Sequence, residues 1–490
     1  MQFIFKYATI PLGLLDTQKE RDHMSAKNST LDQTQSGKST GEFNLFKLTW
    51  PIFLEVFLFM LMGIVDTLML SEISDNAVSG VGAANQFLHI AILILEVIGN
   101  GASIVVAQYL GSRMLREASK ISALAVSLNL IVGLIISIVF VSVGEHLLVM
   151  LNLQGEVLMH AKNYLMIVGG AIFLQAIINS LAAIIRVHGY TKQAMFVSLG
   201  MNIIHIVGNY ILIFGHFGFP ALGTQGAAIS SVGSRLIAVV VFFWLLYNVM
   251  EVRIKIKDYF NLSKAYISKI LKIGIPSALE QVMYQTCQIV FLFYATYLGE
   301  ASLAARTYAN NISMFIYMFA FAVGIGTSII VGRFVGAGKP DQAYTRVWSS
   351  VKSATIVSLV MIGVVTLFRK PLMSIFTEDV NIIAIGASVL TLSIILESGR
   401  TINIIIVNSL RASGNASFPL YVGFFTMVCM SLPLGYLLVF KMDMGLAGIW
   451  LAIAADEWAR AIIMSLRWKS RRWEKHALVN PTKQSAESSV

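Results

Sequence analysis

The sequence predicts an all-α membrane protein of twelve transmembrane helices arranged as two parallel six-helix repeats. Three observations carry that expectation. Only 13% of the residues are charged while 56% are hydrophobic, against ~25% charged in a soluble domain, so the chain lacks the polar surface a globule needs in water. Apolar windows recur near 48–70, 84–110, 121–143, 158–184, 193–214, 226–249, 271–298, 306–332, 350–368, 382–409, 418–440 and 445–466, each of a length that crosses ~30 Å of hydrocarbon. The chain also repeats itself at an offset of 225, which carries Pro51, Leu54 and Glu55 onto Pro276, Leu279 and Glu280. The same offset carries Asn85 onto Asn310, Gly101 onto Gly326, Gly111 onto Gly336, Arg186 onto Arg411 and Gly189 onto Gly414. A register held that long describes a duplicated half-protein of the transporter kind, and six spans per half make the two repeats parallel.

Residues 1–47 read as a disordered cytoplasmic tail, polar after a short apolar start. The first half, 48–249, opens with the most informative stretch. Glu55 and Asp66 lie eleven residues apart in the first span, on one helix face and about 16 Å apart along the axis. A carboxylate facing lipid costs several kcal/mol, so both should turn to a cavity or a partner. The small residues Gly99, Gly101 and Ser103 in the second span, with Gly324, Gly326 and Ser328 in the eighth, suit close helix packing or flexing. In the fifth span Asn202, His205 and Asn209 gather neutral oxygen and nitrogen donors.

A basic amphipathic linker is expected over 250–270, lying at the headgroups. The second half, 271–466, places Glu280 one to two turns inside the bilayer. Desolvation there disfavours the charged carboxylate, so Glu280 is either a site that takes up and releases a cation or a carboxylate satisfied locally. In the tenth span Glu397 and Arg400 are i, i+3 neighbours, and in the twelfth Asp456 and Glu457 precede Arg460; each set is either a structural pair or an exchangeable one. Gln281, Met283, Tyr284 and Tyr308, with Asn85 and Asn310, are candidate cavity residues suited to flat apolar cations. Residues 467–490 form a basic tail with interfacial tryptophans.

With the N-terminus inside, twenty-eight of the 36 Lys and Arg fall in cytoplasmic segments, which puts both termini in the cytoplasm. Spread over loops in this way, the net charge of +10 does not describe a nucleic-acid face. Cys287 and Cys429 lie inside spans and suggest neither a disulfide framework nor a structural metal site. No phosphate-cradling loop and no catalytic constellation is present in the sequence. The expectation is not an enzyme, but transport driven by an ion gradient with no cofactor beyond the coupling ion.

Pro51 through Asp66-Thr67, Gln108-Tyr109-Leu110-Gly111 and Leu410-Arg411-Ala412-Ser413-Gly414-Asn415, set in duplicated six-span halves, resemble the MATE (multidrug and toxic compound extrusion) transporters over about 48–466. Glu397 through Asn403, Asp456-Glu457-Trp458-Ala459-Arg460 and Arg467-Trp468 resemble a bacterial branch that includes a flavin exporter. The resemblance implies a V-shaped, two-lobed transporter of the plasma (inner) membrane. It implies export of amphipathic or cationic organic compounds in exchange for Na⁺ or H⁺, with Asp66 and Glu280 as coupling residues, where a sodium ion would be held transiently. Glu55 and Glu397 are further coupling candidates; Asn202, His205, Asn209, Ser231, Arg400, Asn403 and Asp456 form a secondary polar network. Departures stand out. Asn209 replaces a fifth-span aspartate, His205 an asparagine, Ser231 a sixth-span threonine, and Arg400 falls where another subgroup has an aspartate, so Glu397 would supply that acid. The expected partners are a small-molecule substrate and the lipid bilayer, for a monomer. A lipid-linked precursor flippase, or a dedicated flavin or metabolite exporter, is the alternative.

Overall fold

The computed structural model describes residues 44–249 and 254–479, and the stretch from Asn44 onward forms one compact unit. Twelve long helices account for nearly all of it. The first half holds α1 (Leu45–Ser71), α2 (Asp75–Gly111), α3 (Leu115–Met150), α4 (Gly155–Gly169 and Ile172–Val187), α5 (Thr191–Phe214) and α6 (Thr224–Asn248). The second holds α7 (Lys264–Tyr297), α8 (Glu300–Gly336), α9 (Pro340–Leu367), α10 (Val380–Ala412), α11 (Ser417–Lys441) and α12 (Gly445–Lys469). Nine of these are long and apolar enough to cross a membrane, and the two pieces of α4, bent by 48° at their break, make a tenth when counted as one span. The remaining two, α7 and α12, carry the charges taken up below. The architecture is that of a two-lobed, twelve-helix membrane protein.

Local signals set the helix ends. Asn44 caps α1 by accepting from the Phe46 amide at 3.1 Å, Ser74 caps α2 by accepting from Ala77, and Asp379 caps α10 by accepting from Asn381 and Ile382. Pro340 occupies the first turn of α9, where its missing N–H costs nothing. The internal repeat is visible in these limits: adding 225 to Asp75–Gly111 gives Glu300–Gly336, and adding it to Gly155 and Val187 gives Val380 and Ala412. Helices run a turn or more past the apolar windows, most clearly α3 and α9, because polar residues at the headgroups continue the helix.

Several expected boundaries move. Residues 45–47, read as tail, are the first turn of α1, while 1–43 lie outside the described residues. Residues 264–270, read as linker, belong to α7, which starts after Ser263; 250–253 are outside the described residues. What remains of the linker is a short 3₁₀ turn, Ile256–Phe260, with Ile256 and Phe260 exposed and Asp258 turned inward onto Arg116 of α3 through two bonds of 2.6 and 2.7 Å. Of the expected tail, 467–469 belong to α12 and 480–490 lie outside the described residues, while the segment between is structured: Arg471 adopts a left-handed backbone (φ 56°), and Trp473 stacks on Trp468 with ring centroids 4.2 Å apart, both rings fully buried.

Each half has its own apolar core. Leu70, Leu88, Leu95, Phe140, Leu148 and Leu165 centre one cluster of the first half, and Phe291, Leu390, Leu446 and Trp450 that of the second. Between the halves, α2 packs on α7 and α8 on α1. A Cβ on Gly101 would overlap the Ile270 carbonyl, and one on Gly326 would lie 2.8 Å from Thr49 Oγ1. The small-residue runs of α2 and α8 therefore serve close packing across the seam.

Candidate functional site

Glu280 lies on α7, buried, with both carboxylate oxygens turned to arginines. Arg411 Nη2 of α10 donates to Oε2 at 2.7 Å, and Arg460 Nη1 of α12 stands 4.0 Å from Oε1. Two further acids share Arg460: Asp456 at 2.9 Å, one turn away on α12, and Glu457 at 3.3 Å. Arg400 of α10 bridges Glu397 at 2.6 Å and Glu457 at 3.3 Å, and Asn403 Nδ2 donates to the second oxygen of Glu457 at 2.8 Å. The ion-paired cluster thus comprises four carboxylates and three guanidiniums. A cavity of about 80 Å³ opens beside it, lined by Glu280, Gln281, Tyr284, Arg400, Arg411 and Glu457 among others. That space admits several water molecules, and so has room for a small monovalent ion.

In the first half, α1 and α5 run parallel and in register. Ser198 of α5 donates to Glu55 at 3.3 Å, and eleven residues further along both helices Asn209 Nδ2 donates to Asp66 Oδ1 at 2.7 Å. The two acids of α1 do share a face, and it is the face packed on α5. His205 Nε2 reaches the same Asp66 oxygen at 2.6 Å, while its Nδ1 is buried without a partner. Glu55 is held chiefly by Arg186 of α4 at 2.8 Å, and its Oε2 is buried with no partner.

The two glutamates prove to be the same construction made twice. Glu55 pairs with Arg186 and Glu280 with Arg411, each pair 131 residues apart. The residues that follow the two arginines carry the contact between halves. Arg333 of α8 donates to the Val187 carbonyl at 2.6 Å, and Gln108 of α2 donates to the Ala412 carbonyl at 2.7 Å. Here α2 and α8 cross so tightly that a Cβ on Gly111 would overlap the Arg333 carbonyl and one on Gly336 the Gln108 carbonyl. The C-terminal segment then covers the crossing. The Leu478 amide donates to Gln108 Oε1 at 2.8 Å, its carbonyl accepts from Lys269 of α7 at 3.2 Å, and its side chain joins Ile104, Ile273 and Ala416. The seam is closed at the end of the bundle where the basic loops lie.

The structure gathers Glu280, Glu397, Arg400, Asn403 and Asp456 into one cluster, and Asp66, His205 and Asn209 into another. Gln281 and Tyr284 line the cavity beside the first of these. Met283 and Tyr308 instead pack against the apolar core of the second half, Tyr308 stacked on Phe376, and Asn85 and Asn310 are exposed on α2 and α8. Asn202 is buried with Oδ1 unpartnered, and Ser231 is buried on α6, its carbonyl accepting from Ser234. Residue-type reasoning passed over Arg186, Arg411, Gln108 and Arg333 as components of the site. The repeat held the signal: Glu55 and Glu280 as mates, Arg186 and Arg411 as mates, at one common spacing.

A family model described as MatE matches residues 51–211 and 276–437, one copy per half. Among curated proteins the chain is 42% identical over 431 residues to "Uncharacterized transporter YisQ" of Bacillus subtilis, covering 88% of this chain and 95% of that protein. It is 28% identical over 446 residues to "Probable multidrug resistance protein NorM" of Thermotoga maritima, covering 89% and 94%. Among solved structures it matches one described as the outward-facing conformation of a multidrug resistance MATE family transporter, with a TM-score of 0.81, 22% identity, and coverage of 87% of this chain and 95% of that one. It matches a MATE in its bent conformation with a TM-score of 0.81, 21% identity, and coverage of 90% and 96%. At such identities the structural likeness speaks to the fold.

Proposed function

The chain belongs to the MatE family of transporters, and from that premise we propose that it is a secondary antiporter exporting small amphipathic or cationic organic compounds in exchange for Na⁺ or H⁺. One observation carries the reading. Four carboxylates against three guanidiniums leave the buried cluster one negative charge in excess, beside a cavity sized for a small cation. An uncompensated charge inside the membrane is costly, so a proton or a sodium ion is taken up there to balance it. A cationic substrate competes for the same charge, which is the mutual exclusion that antiport requires.

Glu280 is the coupling carboxylate of the second half in this reading and Asp66 that of the first, with Glu55 and Glu397 as further exchangeable acids. The excess of Lys and Arg in loops at the closed end of the seam supports reading that end as cytoplasmic, with both termini inside; in this reading the closed seam belongs to the outward-facing state of an alternating-access cycle. Both acidic sites are complete within one chain, which suits a monomer in the plasma membrane. A lipid-linked-precursor flippase would need unpaired cations to receive phosphate; Arg400, Arg411 and Arg460 each have a carboxylate.

Inverted membrane vesicles containing the protein should accumulate ethidium when a sodium or proton gradient is imposed, and release it when that gradient is collapsed. Ethidium movement indifferent to both gradients overturns the antiport reading.

A further inference from the structure

The closed seam is tied at two points, and each tie stands one residue from an arginine that holds a membrane acid. In the second half the series is Glu280, Arg411 at 2.7 Å, then the carbonyl of the next residue, Ala412, which accepts from Gln108 of the opposite half at 2.7 Å. In the first half it is Glu55, Arg186 at 2.8 Å, then the Val187 carbonyl, which accepts from Arg333 of the opposite half at 2.6 Å. Every member of one series lies 225 residues from its counterpart in the other: 55 and 280, 186 and 411, 187 and 412, 108 and 333. We infer that Arg186 and Arg411 are positioning residues that couple occupancy of the acids to the seam: each is a tethered cation that occupies its glutamate while the seam is shut and is displaced when the coupling ion takes its place.

The inference rests on the antiport reading and adds the residues that transmit it. Val187 and Ala412 are the last residues of α4 and α10, where a helix has no intrahelical donor for its final carbonyls. Their carbonyls are therefore available to the opposite half. The side chain just before each one fastens that helix end to α1 or α7. When a proton or sodium ion occupies Glu280, Arg411 loses its partner and the last turn of α10 loses its fastening. A hydrogen bond of 2.7 Å is effectively lost once it lengthens by roughly 1 Å, so a small displacement of the helix end suffices to break the tie.

Tolerance at the crossing is low, because Gly111 and Gly336 leave no space there even for a methyl group. The sign agrees with export. An ion entering from outside loosens the cytoplasmic seam and favours the inward-facing state; ion release to the cytoplasm lets the arginine re-pair and the seam close. Glu55 Oε2, buried and unpartnered, offers the first-half pair an acceptor for the incoming ion.

The test measures the seam directly. Spin labels at Leu115→Cys and Lys339→Cys, exposed positions just beyond the crossing helices, are introduced after replacing Cys287 and Cys429, and the full chain is reconstituted in nanodiscs. Their separation is recorded before and after a sodium step at fixed pH and an acid step at fixed sodium. In the otherwise unaltered chain one of the two steps should lengthen the distance. With Arg186→Gln and Arg411→Gln together the distance should no longer follow the ion, whereas Arg411→Lys, which keeps the charge, should retain the response. Gln108→Ala touches neither acid and should lengthen the distance without any ion. A double arginine variant that follows the ion like the unaltered chain, or a Gln108→Ala variant with an unchanged distance, overturns the inference and leaves antiport standing. No response to either ion in the unaltered chain overturns antiport itself.

Discussion

Replacing Glu280 with Gln keeps the side chain's size and removes its charge, and the cost can be worked from the pairs it leaves behind. Arg460 loses little, since Asp456 at 2.9 Å and Glu457 at 3.3 Å remain. Arg411 loses its carboxylate at 2.7 Å while its side chain is 19% exposed. Two unit charges about 4 Å apart at an effective dielectric near 20 attract by about 4 kcal/mol, and breaking a buried pair costs about 3–5 kcal/mol. Partial rehydration of Arg411 places Glu280→Gln at the lower end, about 3 kcal/mol. Arg411→Gln alone should cost a similar amount. The double variant should cost less than the sum by about 2 kcal/mol, because neither charge is then left alone. Chemical unfolding in mixed micelles with linear extrapolation measures all three. Glu55→Gln, in a pair whose side chains are 14% and 20% exposed, should cost less than Glu280→Gln. Additive effects of Glu280→Gln and Arg411→Gln, within about 0.5 kcal/mol, would refute the pairing on which the cluster's charge balance depends.

Gly336→Val puts a branched side chain into the Gln108 backbone, so ethidium accumulation should fall to background while circular dichroism stays helical; Gly63→Ala, with open space around its Cβ, should transport normally. Trp473→Ala removes the ring stacked on Trp468, a loss of about 3–5 kcal/mol for a buried tryptophan. It should undock the C-terminal segment, seen as rapid hydrogen exchange at the Leu478 amide that Gln108 now protects; continued protection would show that the stack does not hold the segment. In the linker, the hydrogen bond from Arg116 holds the Asp258 carboxyl below the usual carboxylate range, helped by the Lys255 amide. A lowered folded-state pKa contributes stability above the ordinary carboxylate value and loses it as pH falls through the folded one. Protease access to 254–263 should therefore rise only in acid, and Asp258→Asn should flatten that dependence.

Much of this architecture was readable in the chain because two physical signals are strong in it. Hydrophobic windows located the twelve long helices, and the 225-residue register placed the helix ends of α2 and α8, and of α4 and α10, in equivalent positions. Hydropathy responds to lipid rather than to helicity, which is why the polar first turns of α3, α7 and α9 were missed. The shared face of Glu55 and Asp66 followed from helical period alone, and the Glu397–Arg400 pair from i, i+3 spacing. Pairing across distant helices is another matter. No local rule joins Glu280 to Arg411, 131 residues away, and only comparison of the two repeats could have suggested it. Met283 and Tyr308 were chosen for chemistry that suits a cation, but aromatic and thioether groups also suit a core, and in α7 and α8 the core took them. The C-terminal run, basic with two tryptophans, resembles an interfacial anchor, whereas the left-handed turn at Arg471 folds it back so that one ring covers the other.

The central claim is that Glu280 and Asp66 exchange a small cation against the substrate. Reconstituted protein can be assayed both for gradient-driven accumulation of ethidium and for one-for-one exchange of labelled against unlabelled ethidium without a gradient. Glu280→Gln and Asp66→Asn should each keep the exchange and lose the accumulation, which is the behaviour of an uncoupled carrier. Accumulation at the unaltered rate in both variants would contradict the account.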